Sequence, residues 1–134
     1  MSKRLSNHDR ILRAIPEADW QSTVIAHAHM RGWKVYATKQ SGKTLADGTY
    51  VTIIEADGKG FPDLVAVHPE RRLLIFIENK RETEHPTPEQ DAWGDWLAAV
   101  PGVRCWVLRP SDADDLDQVF GEPDRSSLML KGAR

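Results

Sequence analysis

Residues 60–80 read GFPDLVAVHPERRLLIFIENK, and this stretch decides the fold. It contains two short apolar runs, DLVAV at residues 63–67 and LLIFIE at residues 73–78, joined by the polar turn sequence HPERR. Because apolar and β-branched residues run almost unbroken in both, the stretch predicts two strands buried in the middle of a sheet. The short connection predicts that the two strands are neighbours.

Charged residues stand where these two predicted strands begin and end. Asp63 opens the first strand, and the second ends in Glu78, Asn79 and Lys80. Side chains alternate along a strand, so Glu78 and Lys80 point to one face, whereas Asn79 points away and presents its carbonyl edge. Two neighbouring carboxylates at the end of an apolar run are costly unless a cation or a proton compensates their charge. Hard oxygen ligands suit Mg²⁺ or Mn²⁺, so the pattern predicts a divalent-metal site beside Lys80. A divalent metal and a lysine together can carry out phosphodiester hydrolysis.

Helix and strand patterns precede this stretch. Ser6 is a candidate N-cap for a short helix that runs to Ile15, and a longer helix is predicted from Glu17 to Arg31. The apolar stripe of the longer helix comprises Trp20, Val24, Ile25 and Ala28. Strand patterns follow at residues 33–38 and 49–55, and the turn sequence DG between them predicts a hairpin with a long basic loop.

A helix, a strand and a further helix are predicted after Lys80. Thr87 caps the first helix, and Gln90 completes a capping box. The apolar stripe of this helix comprises Trp93, Trp96, Leu97 and Val100. We expect its two tryptophans to lie in the core rather than to form a platform on which bases stack.

Residues 103–108 read as the strand that follows, and Cys105 within it is expected to be a small buried hydrophobe. An acidic helix is predicted from Ser111 to Phe120. Taken in order, the elements predict an α/β fold in which a central mixed sheet has helices packed on its faces.

The chain has 134 residues and is 40% apolar, which suits one domain with a buried core. We expect a basic arm or short helix at residues 1–15, a single domain at residues 16–121 and a loose tail at residues 122–134. One cysteine, no apolar stretch typical of a signal peptide and no apolar run of membrane-spanning length favour a cytoplasmic protein.

The formal net charge of −2 conceals a strong polarity along the chain. Residues 1–45 carry eight basic and three acidic groups, whereas residues 82–134 carry five basic and eleven acidic groups. Three lysines near the basic loop, Lys39, Lys43 and Lys59, are predicted to contact nucleic-acid phosphates, although a solvated surface explains any one of them. The SGKT sequence around Lys43 lacks the first glycine of a phosphate-binding loop, so no nucleotide cofactor is predicted.

Three short motifs, GFPDL (residues 60–64), ENK (residues 78–80) and TPEQ (residues 87–90), resemble those of the VRR-NUC branch of the PD-(D/E)XK nuclease superfamily. The resemblance extends over residues 17–116 and implies a restriction-endonuclease-like core in the order αβββαβ. Small stand-alone members of this branch are often phage-encoded. One departure is residues 41–59, a longer segment than a minimal member needs, which leaves substrate recognition open.

The resemblance also implies roles for individual residues. Asp63 and Glu78 would be ligands of Mg²⁺ or Mn²⁺, with the carbonyl of Asn79 completing the shell and Glu17 assisting. Lys80 would be the catalytic lysine. The activity implied is that of a DNA endonuclease, and the likeness to junction resolvases implies a structure-selective enzyme that works as a homodimer on junction, flap or branched DNA.

Each of these residues also has an ordinary explanation. Asp63 is typical of a turn, Glu78 and Lys80 of a surface ion pair, and an acid such as Glu17 suits the first turn of any helix. Gln90 belongs to the site by resemblance, but the capping box explains it without catalysis. Two other functions stay open, namely a non-catalytic nucleic-acid-binding or assembly module with this fold, and cleavage of RNA, since nothing in the sequence reads a 2′-hydroxyl.

Overall fold

The computed structural model describes residues 4–38, 41–54 and 56–123. Its helices are α1 (Asn7–Ala14), α2 (Glu17–Met30), α3 (Pro88–Ala98) and α4 (Leu116–Phe120), and a 3₁₀ helix (Pro110–Asp115) precedes α4. Its strands are β1 (Lys34–Ala37), β2 (Ser41–Thr44), β3 (Tyr50–Ile53), β4 (Leu64–His68), β5 (Leu73–Asn79) and β6 (Val103–Leu108). From residue 124 onwards the predicted tail lies outside the described residues, and the predicted domain boundaries stay predictions.

Four strands form the central sheet in the order β1-β4-β5-β6. Strand β4 is antiparallel to both β1 and β5, whereas β5 and β6 are parallel. The register pairs Leu64 with Ile77, so Asp63, the residue before Leu64, and Glu78, the residue after Ile77, lie at the same end of the sheet. The two predicted central strands and the mixed sheet are therefore confirmed.

The hairpin predicted between residues 33–38 and 49–55 is wrong, because β1 pairs with β4. Thr38, which follows β1, donates its backbone N–H to the carbonyl of Asp63 and its hydroxyl to the carbonyl of Pro62, at 2.8 Å each. These bonds fix the end of β1 beside the start of β4, although 24 or more residues separate them in the chain.

Strand β3 pairs instead with β2, in a separate two-stranded sheet, although the β2 sequence SGKT was predicted to be loop. The predicted turn at Asp47 and Gly48 does close this hairpin. Gly48 takes a φ of +88°, and Asp47 accepts the N–H of Thr49 at 2.9 Å. The turn sequence thus located the turn but not the strand that precedes it.

The ends of the described chain follow the prediction in part. Ser6 accepts the N–H of Asp9 and begins α1, as its spacing predicts. The single acidic helix predicted from Ser111 to Phe120 is wrong, because its first part is a 3₁₀ helix and only five residues are α-helical. Asp112 accepts the N–H of Arg109 at 2.8 Å, which closes a tight turn at the start of the 3₁₀ helix.

The main core lies between the sheet and α2. Trp20, Val24 and Ala28 of the predicted stripe are buried, and Ile25 is partly buried against them. Their partners come from the sheet, the segment between α2 and β1, and the C-terminal helical segment: Trp33, Leu64, Ala66, Ile75, Ile77, Leu108, Leu116 and Phe120. Through its apolar stripe, α2 therefore covers the face of the central sheet on which the main core lies.

The opposite face of the sheet carries α3 and is more thinly covered. Within α3, which is described throughout, no residue is buried, and Trp96 is 59% exposed. The prediction that both of its tryptophans belong to the core is therefore wrong for Trp96. Cys105 on β6 is half-buried rather than fully buried. No helix in the described part of the chain is long and apolar enough to cross a membrane.

Candidate active site

Asp63 is positioned by the two strands on either side of it. Its backbone carbonyl accepts the N–H of Thr38, and its carboxylate Oδ2 accepts the backbone N–H of Asn79 at 2.8 Å. The first bond ties the residue to the end of β1, and the second ties its side chain to the end of β5. Asp63 is therefore held where the three strands β1, β4 and β5 come together.

Glu78 is the most buried carboxylate of this region, with 4% of its surface exposed. Its Oε1 accepts a hydrogen bond from Gln90 Nε2 at 2.8 Å and lies 3.6 Å from Lys80 Nζ. Among the described residues, no donor reaches its second oxygen, Oε2, although that atom is buried. A buried carboxylate oxygen without a donor is costly unless a cation or a proton reaches it.

Gln90 uses both ends of its side chain. Its Oε1 accepts the backbone N–H of Thr87, and its backbone N–H donates to the Thr87 hydroxyl, which is the predicted capping box. Its Nε2 donates to Glu78. The capping role and the site contact are thus properties of one side chain, since the cap fixes Gln90 at the position from which it reaches Glu78.

Gly60 allows the chain before Asp63 to pack against the start of α3. Its φ is +85°, and a Cβ built on it would lie 2.5 Å from the carbonyl carbon of Glu89 and 2.8 Å from the backbone nitrogen of Gln90. Only glycine fits this close approach without displacing the helix. The GFPD sequence therefore positions Asp63 and, through α3, Gln90 together.

Glu17 brings a third carboxylate to the same place from the first position of α2. Glu17, Asp63 and Glu78 each offer a carboxylate oxygen, and these three oxygens all lie within 4.8 Å of one another. One helical turn further on, Gln21 accepts a 3.4 Å hydrogen bond from the Asn79 side chain. The sequence patterns do not indicate Gln21 as a site residue, although its spacing of four residues from Glu17 places both on one face of the helix.

The electrostatics of the cluster are dominated by burial and mutual repulsion. Burial and, after it, the nearby Asp63 carboxylate raise the pKa of Glu78 to about 8, although Lys80 opposes the rise. Burial also raises the pKa of Asp63, against the hydrogen bond from Asn79 N–H, and it raises the pKa of Glu17, where Asp63 adds to the effect. One buried lysine beside three carboxylates leaves an excess of negative charge.

This donor set fits a divalent cation. Three carboxylates supply hard oxygen atoms, and the buried Oε2 of Glu78 has no other partner among the described residues. Because the N–H and the carbonyl of one strand residue point to the same edge, the Asn79 carbonyl lies on the edge that faces Asp63. The predicted residues Glu17, Asp63, Glu78 and Lys80 are thus brought together, and Asn79 lies beside them.

The predicted DNA-contacting lysines lie in different settings. Lys43 is exposed on β2, and Lys59 is exposed in the loop before Gly60, with its Nζ 3.5 Å from Glu89 Oε1. Lys39 lies outside the described residues. A role of these lysines in DNA binding stays a prediction.

Comparison with solved structures identifies a similar fold. A structure described as a VRR_NUC domain superimposes with a TM-score of 0.54 and 20% sequence identity, and the match covers 76% of this chain and 94% of that one. No protein-family model and no curated protein match the sequence. The chain therefore has a fold like that of the VRR_NUC domain, as the short motifs in its sequence predict, and the likeness is one of fold.

Proposed function

We propose that this protein is a metal-dependent nuclease that hydrolyses phosphodiester bonds in DNA. The observation that carries the proposal is the cluster of Glu17, Asp63 and Glu78, whose carboxylate oxygens lie within 4.8 Å of one another beside the buried Lys80. The VRR-NUC-like fold supports it. The cluster also lies where β4 begins and β5 ends, at the residues to which the sequence resemblance assigns the metal ligands.

In this proposal, Asp63, Glu78 and the Asn79 carbonyl hold Mg²⁺ or Mn²⁺, and Glu17 assists. When bound, such an ion makes water more acidic and offsets negative charge on the phosphate that is attacked. The oxygens of the cluster are held in place before the ion arrives, by Asn79 N–H on Asp63 and by Gln90 on Glu78. Such preorganisation spares the site a rearrangement during the reaction.

Lys80 supplies a positive charge at a fixed place. Its side chain is 9% exposed, and its ammonium group lies 3.6 Å from Glu78 Oε1. An ammonium group has three donors, so one of them can face Glu78 while the others orient a water or contact a phosphate oxygen. Loss of Lys80 would remove both the orientation and the charge.

The finer parts of the proposal concern the substrate and the assembly. The described residues contain a single acidic cluster, and cutting two strands in one encounter calls for two such sites, so we propose a homodimer acting on branched DNA. Lys43 and Lys59, together with Lys39, would contribute salt-sensitive contacts to phosphates.

Cleavage assays test the proposal directly. Purified protein is incubated with supercoiled, flap, four-way-junction and RNA substrates in Mn²⁺, in Mg²⁺ or in EDTA, and light scattering on the same samples measures the oligomeric state. We expect cleavage with either metal and none in EDTA. Asp63→Asn and Lys80→Ala are each expected to lower the rate by about 10²-fold or more, because they remove groups that act on the reacting atoms.

Matched controls are Asp114→Asn, an exposed carboxylate in the 3₁₀ helix, and Lys34→Ala, an exposed lysine at the opposite end of the sheet. Both should cleave at the wild-type rate. Cleavage that survives Asp63→Asn and Lys80→Ala unchanged would refute the site. A wild-type protein that binds DNA but cuts none of the substrates in either metal would favour the non-catalytic module.

A further inference from the structure

A chain of aromatic rings runs from the sheet to the surface on the α3 face. Phe61 packs edge-to-face on the buried Phe76, with ring centroids 5.7 Å apart, and on Trp93 at 5.1 Å. Trp93 in turn packs edge-to-face on Trp96 at 5.3 Å. Such pairs are favourable, so each ring fixes the next. The last ring of the chain, Trp96, is 59% exposed, and core packing does not account for it.

The two tryptophans border a surface depression of about 330 Å³. Its other walls come from the loop before Gly60 and from the first turns of α3: Ala56, Asp57, Lys59, Glu89 and Ala92. The indole N–H of Trp93 donates to the carbonyl of Asp57 at 3.0 Å, which fixes this ring against the loop. The depression therefore has a preformed wall, and Trp96 offers an open aromatic surface on its rim.

We propose that this depression binds an unpaired nucleic-acid base by stacking on Trp96, so that the nuclease selects DNA with unpaired nucleotides next to the bond it cuts. The inference rests on the proposed function, of which it names the substrate class. Exposed aromatic rings are the usual platforms for single-stranded nucleic acid, because every base has a face that can stack.

Helix α3 contributes residues both to the depression and to the surroundings of the carboxylate cluster. Gln90, which contacts Glu78, lies six residues before Trp96 on α3, about 9 Å along the helix axis at about 1.5 Å per residue. At about 3.4 Å per nucleotide of one strand, this distance corresponds to two or three nucleotides. Because six residues also turn the helix by about 600°, the Trp96 and Gln90 side chains point about 120° apart, so a strand with a base on Trp96 must in addition pass partly around α3 to bring a phosphate to the cluster.

Charge at the rim is compatible with a stacked base. A base is uncharged, so Asp57 and Glu89 repel only the phosphates attached to it and not the stacked ring itself. Lys59 lies 3.5 Å from Glu89, and their side chains are 71% and 44% exposed, so this ion pair is weak and Lys59 is able to contact a phosphate instead. Glu89 competes with that contact, so its removal should strengthen binding.

Binding measured without cleavage tests the inference. Fluorescence anisotropy in EDTA at low salt is used with a labelled single strand, the matching duplex, and the same single strand carrying abasic sites. We expect the wild-type protein to bind the single strand more tightly than the duplex or the abasic strand. Trp96→Ala should weaken single-strand binding by about 5- to 150-fold, which is the range for stacking one base on an aromatic ring.

Two further variants make the test specific. Trp96→Phe should retain most of the affinity, since it keeps an aromatic face, and Glu89→Gln should increase it. The control is Tyr36→Ala, which removes an exposed aromatic ring from β1 at the other edge of the central sheet and should bind as the wild type does.

The inference and the proposed function fail in different ways. If Trp96→Ala binds single strands as tightly as the wild type does, and cleaves them equally well, the stacking platform is wrong while the nuclease stands. If the wild-type protein cuts no substrate but loses single-strand binding in Trp96→Ala, the platform stands and the nuclease proposal fails. Absence of oligonucleotide binding by the wild-type protein overturns the platform.

Discussion

At the scale of single residues, Glu78 shows why the cluster depends on pH. An unfolded glutamate titrates near 4.5, whereas burial and the Asp63 carboxylate raise the pKa of Glu78 in the folded protein to about 8. Between these values the folded, metal-free protein holds a proton that the unfolded chain has released. The stability that the protonated Glu78 contributes is therefore complete below about pH 4.5 and is lost as the pH rises towards 8.

We therefore predict that, in EDTA, the Tm of the wild-type protein falls as the pH is raised from 5 to 8.5. Glu78→Gln keeps the shape of the side chain but cannot ionise, so its Tm should fall less over the same range. Calorimetric scans at several pH values measure both. The control, Glu70→Gln, changes an exposed glutamate and should keep the wild-type slope. Equal slopes in wild type and Glu78→Gln would contradict the prediction.

Single residues also show which contacts of the candidate site are predictable from the sequence and which are not. The spacing of Asp63, Glu78 and Lys80 on consecutive strands was sufficient to predict that they meet, because strand alternation and a short connection are local rules. The contact between Gln90 and Glu78 was not predictable from spacing, since it requires α3 to lie on one particular face of the sheet. The exposure of Trp96 was not predictable either, because a helical stripe indicates an apolar face but not how much of that face the rest of the fold covers.

At the scale of elements, the pairing of β1 with β4 shows why local sequence patterns did not predict the strand order. The turn sequence at Asp47 and Gly48 specifies a bend, and any extended segment before it satisfies that bend. The residues of β2, SGKT, are small and polar, so they carry no apolar alternation that predicts a strand. Strand β1 is held instead by the hydrogen bonds of Thr38 to Pro62 and Asp63, and such a long-range contact leaves no signal in local sequence.

The loop before β4 and the start of α3 form one unit, which yields a prediction at this scale. Gly60→Ala should lower the free energy of unfolding by about 2–4 kcal/mol, because alanine at positive φ costs about 1 kcal/mol and its Cβ also overlaps the backbone of Glu89 and Gln90. Urea denaturation measures the change. Because the first turn of α3 must move, the cleavage rate should fall as well.

Gly48→Ala is the matched control for this substitution. Gly48 has nearly the same φ, +88°, but a Cβ there would meet none of the described residues within 4 Å. It should therefore cost only the backbone term, about 1 kcal/mol. If the two substitutions are equally destabilising, the packing of Gly60 against α3 contributes nothing.

At the scale of the whole molecule, the cluster joins the two layers that cover the sheet. Glu17 comes from the first residue of α2 on one face, Gln90 comes from the first turn of α3 on the other, and Asp63 and Glu78 come from the sheet between them. Both helices begin at this end of the sheet, and their N-termini carry partial positive charge, which favours carboxylates. The three carboxylates of the cluster all lie outside residues 82–134, so the strong negative charge of that segment is separate from the charge of the cluster.

A cation shared by α2, β4 and β5 should stabilise the folded protein as a whole. We predict that Mn²⁺ or Mg²⁺ raises the Tm, by an amount that corresponds to about 2.7 kcal/mol when the free metal is 100 times its Kd. Asp63→Asn and Glu78→Gln should abolish most of this gain, whereas Glu17→Gln, which removes the proposed assisting ligand, should reduce it only in part. Asp114→Asn is the control and should retain the full gain. A metal-dependent rise in Tm that is the same in Asp63→Asn and Glu78→Gln as in the wild type would mean that the ion binds elsewhere.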